Sequence, residues 1–314
     1  MTGGPVLAID MGGTNIRAAI VAGDGAVLAI RGCPTPAQES AAAVVEAIGA
    51  LCDVLIAACP LDPRAPAGLC APGPLDADNG VALGTPTIAA LRDFPLRDRL
   101  AQRLGRPVTI DNDGHAAAYG EWHCGAAPGQ RNFVFVTVST GIGGGVVLDG
   151  RLLRGRMGMA GHFGHMLLGD PGDICFCGAA GCWEATASGT ALQRRARAAG
   201  FGSLQDACDA SHGGDISARA FLDRAARDLA RGLVTLAHCF SPDSFVLGGG
   251  VMSQFATLDP LIRRHFRTLC LPPFRETAFH KARLADHAGL IGMAMQISHR
   301  DKAARGISGQ RGAG

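Results

Sequence analysis

Three cysteines and one histidine near the middle of the chain have the types and the spacing of a metal site. Cys175, Cys177 and Cys182 fall within eight residues with glycines between them, and His165 lies ten residues before Cys175. One imidazole and three thiolates make a closed tetrahedral ligand set, which is typical of structural zinc. We therefore expect Zn²⁺ to hold this loop and its neighbours in one geometry. Buried or redox-active cysteines are the alternative interpretation.

Glycine-rich turns are the second chemical signal. They follow apolar, strand-like runs at residues 10–15 (DMGGTN), 139–145 (STGIGGG) and 248–250 (GGG). Glycines let backbone N–H groups point at phosphate oxygens, and the hydroxyls of Thr14 and Thr140 add donors. Each turn alone is also compatible with a tight hairpin. Together, and with Asp10 at a strand end to face Mg²⁺, they favour a nucleoside triphosphate site.

The elements that would position these residues alternate between strands and helices. The apolar runs predict strands at residues 6–9, 16–21, 26–30, 67–71, 107–110, 133–138, 145–148 and 244–247. Helical spacing covers residues 41–58, 114–122, 185–199, 218–239, 258–269 and 287–297. This order is typical of α/β proteins, with a β-meander at the start. Because both halves open with strand, glycine turn (the second at 141–145) and strand, we expect a duplicated architecture with a cleft between two lobes.

Composition narrows the class of protein. The chain has 314 residues, 47% of them hydrophobic and 18% charged, which fits a folded protein with more than one core. The net charge is +2 and no long run of like charges occurs, so no nucleic-acid partner is expected. Glu46 and Asp53 interrupt the longest apolar stretch, which argues against a membrane span. Eleven cysteines without a secretion signal indicate a reducing, cytoplasmic environment.

The assembled pattern resembles the ROK (repressor, open reading frame, kinase) family of sugar kinases and regulators over residues 7–295. The most specific match is residues 161–165 (GHFGH) leading into residues 175–184 (CFCGAAGCWE). Further motifs match in the family's order at residues 10–17, 112–113 (ND) and 247–250 (LGGG). The resemblance implies an actin-like, ribonuclease-H-like α/β fold of two lobes. It also implies ATP with Mg²⁺ in the cleft, and transfer of the γ-phosphoryl group to the 6-hydroxyl of a hexose.

The resemblance also implies roles for individual residues. Asp113 matches the family's catalytic base, and a carboxylate is suited to take the proton of a poorly nucleophilic hydroxyl. It is also placed to cap the helix that follows. Asn112 and Glu184 match residues that hydrogen-bond the sugar, and His165 matches one that ligates zinc beside it. The ATP contacts implied in this way are Asp10 near the metal-bound phosphates, Gly12, Gly13, Thr14, Thr140, Gly141 and Gly143 along the phosphates, and Gly249 and Gly250 nearer the adenosine.

Two positions depart from the family's pattern, and both are expected near the sugar. The family usually has Glu where this chain has His162, and Asn where it has Thr87. Losing a carboxylate removes a strong acceptor for sugar hydroxyls. His162 and residues 135–147 resemble a bacterial branch of N-acetylmannosamine kinases, so N-acetyl-D-mannosamine is favoured slightly over glucose, with N-acetylglucosamine as a further alternative. A loop imidazole bonded only to backbone is the other interpretation of His162.

Lobe boundaries and assembly are expectations of the same kind. Residues 1–118, joined by a C-terminal helix at 286–300, would form a small lobe, and residues 119–285 a large lobe with the zinc site. Residues 301–314 would be a flexible tail. Relatives are often dimers, so a homodimer is expected. A sugar-responsive regulator is the alternative of another class, but only nine residues precede Asp10, which leaves no room for the winged helix of such regulators.

Overall fold

A computed structural model describes residues 4–85 and 87–310, with side chains up to residue 300. The strands of this part of the chain are β1 Val6–Met11, β2 Asn15–Val21, β3 Val27–Pro34, β4 Ala67–Ala71, β5 Leu75–Asp76, β6 Val81–Ala82, β7 Val108–Asn112, β8 Phe133–Val138, β9 Ile142–Leu148, β10 Arg151–Leu152, β11 Ser244–Gly248 and β12 Ala278–Lys281. Its α-helices are α1 Ala41–Ala58, α2 Leu96–Leu104, α3 Asp113–Cys124, α4 Trp183–Ala187, α5 Gly189–Ala198, α6 Leu204–His212, α7 Ile216–Phe240, α8 Phe255–Leu269 and α9 Ala288–Gln310.

Within the described residues, the first of two compact units contains the chain up to Gly129, the segment Leu152–Ala160 and the chain from Asp286 onward. Its five-stranded sheet has the order β3-β2-β1-β4-β7. The strands β1, β2 and β3 pair antiparallel, which confirms the predicted β-meander, whereas β4 pairs parallel with both β1 and β7. All five residues of β4 are buried, as the continuous apolar run predicts for the middle of a parallel sheet.

The second unit contains Gln130–Arg151 and Gly161–Ala285. Its sheet has the order β10-β9-β8-β11-β12, with β8 antiparallel to β9 and parallel to β11, which is parallel to β12. In both units, therefore, the first three strands lie in reverse order and are followed by two parallel strands. This common topology confirms the predicted duplication of the architecture.

The predicted boundary at residue 118 falls inside α3 and differs from the observed one at Gly129. The reason is close packing of α3 on α9, where a Cβ at Gly292 would collide with the carbonyl of Ala116. Helix α9 also continues to Gln310, so most of the expected tail is helical, and residues 311–314 lie outside the described residues. The segment Leu152–Ala160 joins the first unit as well, which the sequence did not indicate.

Helix α1 is long and apolar enough to cross a membrane by length and composition alone. Its residues Val44, Ile48 and Leu55 are nevertheless fully buried in the core of the first unit. On its other side, Arg103 of α2 donates to Glu46 at 2.8 Å and to Asp53 at 2.7 Å. The two acidic residues thus join α1 to α2, and the helix is part of the core of a folded unit.

Two local predictions were wrong in detail. Gly143 was placed in a turn, but it lies within β9 opposite Thr137, and the turn comprises residues 139–141. The next glycine is required by packing, because a Cβ at Gly144 would collide with the carbonyl of Phe135 and lie 2.7 Å from the Phe163 ring. The single helix expected at 185–199 is divided at Ser188, whose hydroxyl caps α5 by accepting from the Ala191 N–H at 3.2 Å.

Candidate active site and metal centre

The first unit brings two carboxylates to one edge of its sheet. Asp10 near the end of β1 is in register with Cys70 of β4, and Cys70 is in register with Asp111 of β7. Asp113 follows β7 directly as the first residue of α3. Because the carboxyl ends of parallel strands meet at the same edge, Asp10 and Asp113 lie near each other there. This is the edge at which ligands usually bind in open α/β sheets.

The junction between β7 and α3 is held by Asn112. Its buried side chain caps the helix, since Oδ1 accepts from the N–H of Gly114 at 2.9 Å and from that of His115 at 3.4 Å. Asp113 also accepts from the Gly114 N–H, at 2.7 Å, so the predicted capping role is shared. With its oxygen committed to the cap, Asn112 has its amide NH₂ group to offer a ligand hydroxyl.

The electrostatics of this edge favour a base that titrates near neutral pH. The side chain of Asp113 reaches solvent, but the surrounding protein displaces most of the water from around its carboxylate. This desolvation and the negative charge of Asp10 raise the pKa of Asp113 to about 6. Burial also raises the pKa of Asp10, against the opposing effect of Arg17 at 3.3 Å and the Cys70 thiol. Two neighbouring carboxylates whose pKa values are both raised are typical of a functional site.

The first glycine turn lies beside this edge. The carbonyl of Gly12 accepts from the Thr35 hydroxyl at 2.7 Å, and a Cβ at Gly13 would lie 2.6 Å from the Cβ of Thr87. Gly13 must therefore be glycine for the segment carrying Thr87 to rest on the turn. Thr87 itself is exposed and its hydroxyl is 2.9 Å from that of Thr85. The structure thus places Thr87 against the first glycine turn, while residue 86 lies outside the described residues.

The other two glycine turns meet in the second unit. Gly249, at φ 87°, packs against the carbonyl of Val138, at the end of β8. The N–H of Gly189, the first residue of α5, donates to the carbonyl of Ser139 at 2.7 Å, and the Thr190 hydroxyl donates to that of Thr140 at 2.9 Å. The N-terminus of a ten-residue helix and two glycine turns therefore converge, which is a suitable site for phosphate groups.

The predicted metal ligands come together in the same unit. The Nδ1 atom of His165 and the Sγ atoms of Cys175, Cys177 and Cys182 all lie within 4.8 Å of one another. Separations of 3.8 Å for Cys175–His165, 3.6 Å for Cys177–Cys182 and 3.9 Å for Cys182–His165 are close to the edges of a tetrahedron, about 3.7 Å, around an ion with ~2.3 Å bonds to sulfur. The donor set therefore fits a tetrahedral metal ion.

Glu184 is tied to this cluster through a short helix. Cys182 immediately precedes α4, and Glu184 is the second residue of that helix. The carboxylate of Glu184 accepts from the N–H of Ile142 at 2.7 Å, and a Cβ at Gly141 would collide with it. Trp183, which is 1% exposed, anchors α4 by donating from Nε1 to the carbonyl of Asp228 at 2.9 Å.

His162 lies on the same side as the metal ligands. Its ring is 6.4 Å from that of His165 and nearly parallel to it. Gly164, between them, must be glycine, since a Cβ there would lie 2.5 Å from the Ile142 carbonyl and 2.9 Å from the Cβ of Glu184. The predicted sugar contacts His162, His165 and Glu184 are thus grouped around the start of β9.

One group beside the candidate base was missed by the sequence analysis. Asp111 is fully buried and contacts Arg154 at 2.7 Å, Gln296 at 2.8 Å and His115 at 3.3 Å. Arg154 follows Asp111 by 43 residues in the sequence, and Gln296 belongs to α9, the last helix. No local pattern links them, although an aspartate that precedes another functional carboxylate by two positions could have been noted.

The chain is similar to known proteins over nearly its whole length. The model of the ROK family matches residues 6–300. A glucokinase of Streptomyces coelicolor is 35% identical over 93% of this chain and 96% of its own, and an N-acetylmannosamine kinase of Escherichia fergusonii is 37% identical over 92% and 97%. The structure of a ROK family glucokinase from Streptomyces griseus in complex with glucose and AMPPNP is 34% identical, with a TM-score of 0.80 over 93% of this chain and 98% of that one. The expected actin-like α/β fold is confirmed by these similarities.

Proposed function

This chain belongs to the ROK family, and from that premise we propose that it transfers the γ-phosphoryl group of ATP to the 6-hydroxyl of a hexose or N-acetylhexosamine, with N-acetyl-D-mannosamine preferred. The observation that carries the proposal is Asp113, a carboxylate at the sheet edge whose pKa is raised to about 6 beside Asp10. The similar proteins are named glucokinase or N-acetylmannosamine kinase, and both names describe sugar kinases. A sugar-responsive regulator is not favoured, because the curated relatives that align with more than nine-tenths of this chain are named as kinases.

In this proposal Asp113 removes the proton from the 6-hydroxyl as that oxygen attacks the γ-phosphorus and ADP leaves. A pKa of about 6 keeps the carboxylate ionised at neutral pH, yet close enough to the working pH to bind the proton. Asn112 orients the sugar through its amide NH₂ group, and the glycine turns donate N–H groups to the phosphates. Mg²⁺, when bound with ATP, neutralises charge on the phosphates near Asp10.

We assign Zn²⁺ to His165, Cys175, Cys177 and Cys182, because these four donors fit a closed tetrahedral set. The ion would supply rigidity and not an open catalytic position. With Nδ1 of His165 used for the metal, the proton of a neutral imidazole is on Nε2, which can donate to a sugar hydroxyl. Glu184, fixed by Ile142 and by α4, accepts from another hydroxyl.

The proposed function is tested by measuring sugar-dependent ADP release with a coupled assay. The sugars are N-acetyl-D-mannosamine, glucose, N-acetylglucosamine, mannose, allose and fructose, each with Mg²⁺ and ATP. We expect the highest kcat/KM with N-acetyl-D-mannosamine and the next with glucose. ADP release no faster than in the absence of sugar, for all six, would reject the kinase proposal, whereas a higher kcat/KM for glucose would reject only the preferred sugar.

His162→Glu tests which residue selects the sugar. A carboxylate there is a stronger hydrogen-bond acceptor than imidazole, so we expect the ratio of kcat/KM for glucose to that for N-acetyl-D-mannosamine to rise about tenfold. His162→Gln is the matched control, since it offers a neutral acceptor of similar length and should change the ratio less. Equal ratios in wild type and His162→Glu would mean that His162 does not contact the sugar.

A further inference from the structure

A buried carboxylate lies directly behind the proposed base. Asp111 is fully buried two residues before Asp113, and its Oδ1 accepts from the N–H of Asn112 at 2.9 Å and faces Nδ1 of His115 at 3.3 Å. Its Oδ2 accepts from Nε2 of Gln296 at 2.8 Å and from Nη1 of Arg154 at 2.7 Å. Both carboxylate oxygens of Asp111 therefore accept hydrogen bonds, and one of the donors is cationic.

Arg154 contacts this carboxylate from the segment Leu152–Ala160, which belongs to the first unit. The residues on either side of Leu152–Ala160 belong to the second unit. The guanidinium also donates from Nη2 to Oε1 of Gln296 at 2.9 Å, so Arg154, Asp111 and Gln296 close a ring of hydrogen bonds between β7 and α9. Gln296 is 1% exposed, which leaves the ring little freedom to rearrange.

We propose that Asp111 and Arg154 are positioning residues for the reaction: they fix the turn from β7 into α3 that carries Asn112 and Asp113, and they keep the charge behind the base neutral. This inference rests on the proposed role of Asp113. The hydrogen bond from the Asn112 N–H to Asp111 fixes the backbone just before the base. A planar guanidinium bonded to both Asp111 and Gln296 holds that backbone more firmly than a single contact would.

The charges around Asp113 make the second half of the proposal measurable. Asp10 faces it from β1 with Arg17 as its partner, Arg17 also contacts Asp286, Cys70 lies on β4, and His115 follows on α3. Burial disfavours ionisation of Asp111, but His115, Arg154 and Gln296 outweigh it and lower its pKa. Asp111 is therefore an anion balanced by Arg154, and removing either partner changes the net charge next to Asp113 by one unit, in opposite directions.

The test is the pH dependence of kcat/KM in Asp111→Asn, in Arg154→Gln and in the double variant. The acid limb of this profile is the range in which kcat/KM falls because Asp113 becomes protonated. Asp111→Asn leaves the Arg154 cation unbalanced, which favours ionised Asp113, so we expect the acid limb to move to lower pH by about half a unit or more. Arg154→Gln leaves an anion that the Asn112 N–H and Gln296 still stabilise, so the limb should move upward by a similar amount. The double variant should return the limb to within ~0.2 unit of wild type, since neither charge remains. Each single variant should also lose about tenfold in kcat at its optimum through misplacement of Asp113.

Arg156→Gln is the matched control, because it removes a cation from an exposed position of the same segment. Its acid limb and kcat should equal those of wild type. Thermal unfolding and metal content establish that each variant is folded, and Arg154→Lys serves if Arg154→Gln and Asp111→Asn do not fold. Arg154→Lys keeps the charge but not the planar fork, so it should lower kcat about threefold or more with the limb unmoved.

An unmoved acid limb in folded Asp111→Asn or Arg154→Gln would overturn the inference, as would wild-type kcat in Arg154→Lys. A lowered unfolding temperature with a wild-type pH profile would likewise mean that the ring is only structural. Failure of the proposed function is distinguishable, because the wild type would then show no sugar-dependent ADP release. Failure of the role of Asp113 alone would instead leave Asp113→Asn with wild-type turnover and the wild-type acid limb.

Discussion

Asp113→Asn is expected to lower kcat by at least about a hundredfold, the usual contribution of a general base. The amide keeps the size of the side chain and its hydrogen bond from the Gly114 N–H, so the turn into α3 should be preserved. It has no lone pair basic enough to take the proton of the 6-hydroxyl. Sugar and ATP binding, measured by calorimetry, should therefore stay within about threefold of wild type, while steady-state ADP release collapses.

The pH profile gives the same prediction a second readout. Because the neighbouring protein and Asp10 raise the pKa of Asp113 to about 6, the base is ionised above that pH and protonated below it. We expect kcat/KM of the wild type to be constant above this pKa and to fall about tenfold per pH unit below it. Asp113→Asn should lack this limb.

Asp53→Asn is the control, since that exposed carboxylate of the same unit contacts Arg103 on the outer side of α1. It should have the wild-type kcat and the wild-type profile. Turnover of Asp113→Asn within about threefold of wild type would reject the assignment of Asp113 as the base. This outcome does not depend on which sugar the protein prefers.

Features that depend on neighbours in the sequence were predictable. The glycine turns, the thiols at 175–182 and the pair Asn112-Asp113 are each recognised from a few adjacent residues. The structure brings the thiols together with His165 and places Asn112 and Asp113 at the start of α3. Ser188, too, is a local signal, because a serine before glycine and threonine is a typical N-cap, and this cap explains why α5 begins anew.

Features that depend on distant residues were not predictable. In the sequence, Gly143 and Gly144 are typical of a turn, but both lie in β9. Gly144 has no side chain because Phe163, nineteen positions later, packs on it. Similarly, Asp111 has no visible partner until Arg154 is brought to it in space. Side-chain packing and buried ion pairs depend on tertiary structure. Hydrophobic periodicity in a single sequence indicates helices and strands, but not which distant residues are in contact.

Removal of the metal ion is the other change expected to have a large effect. We expect about one zinc ion per chain by elemental analysis, and its loss in Cys182→Ser together with a fall of about 10 °C or more in the unfolding temperature. Cys182 is fully buried and directly precedes α4, so a ligand lost there also releases the helix that carries Glu184. Cys177 is exposed at the tip of the loop, and Cys177→Ser should lose zinc with a smaller fall in temperature.

Cys239→Ser provides the comparison, because Cys239 is an exposed free thiol of the same unit, in α7, outside the ligand set. It should keep both the zinc and the unfolding temperature of the wild type. If the ion is structural, Cys182→Ser should also raise the KM for sugar more than the KM for ATP. The reason is that Glu184 and His165 both depend on the metal-binding loop. The glycine turns at Ser139 and Gly249 are instead held by contacts with β8 and α5. Wild-type protein that contains no metal and is fully folded and active would refute the zinc assignment.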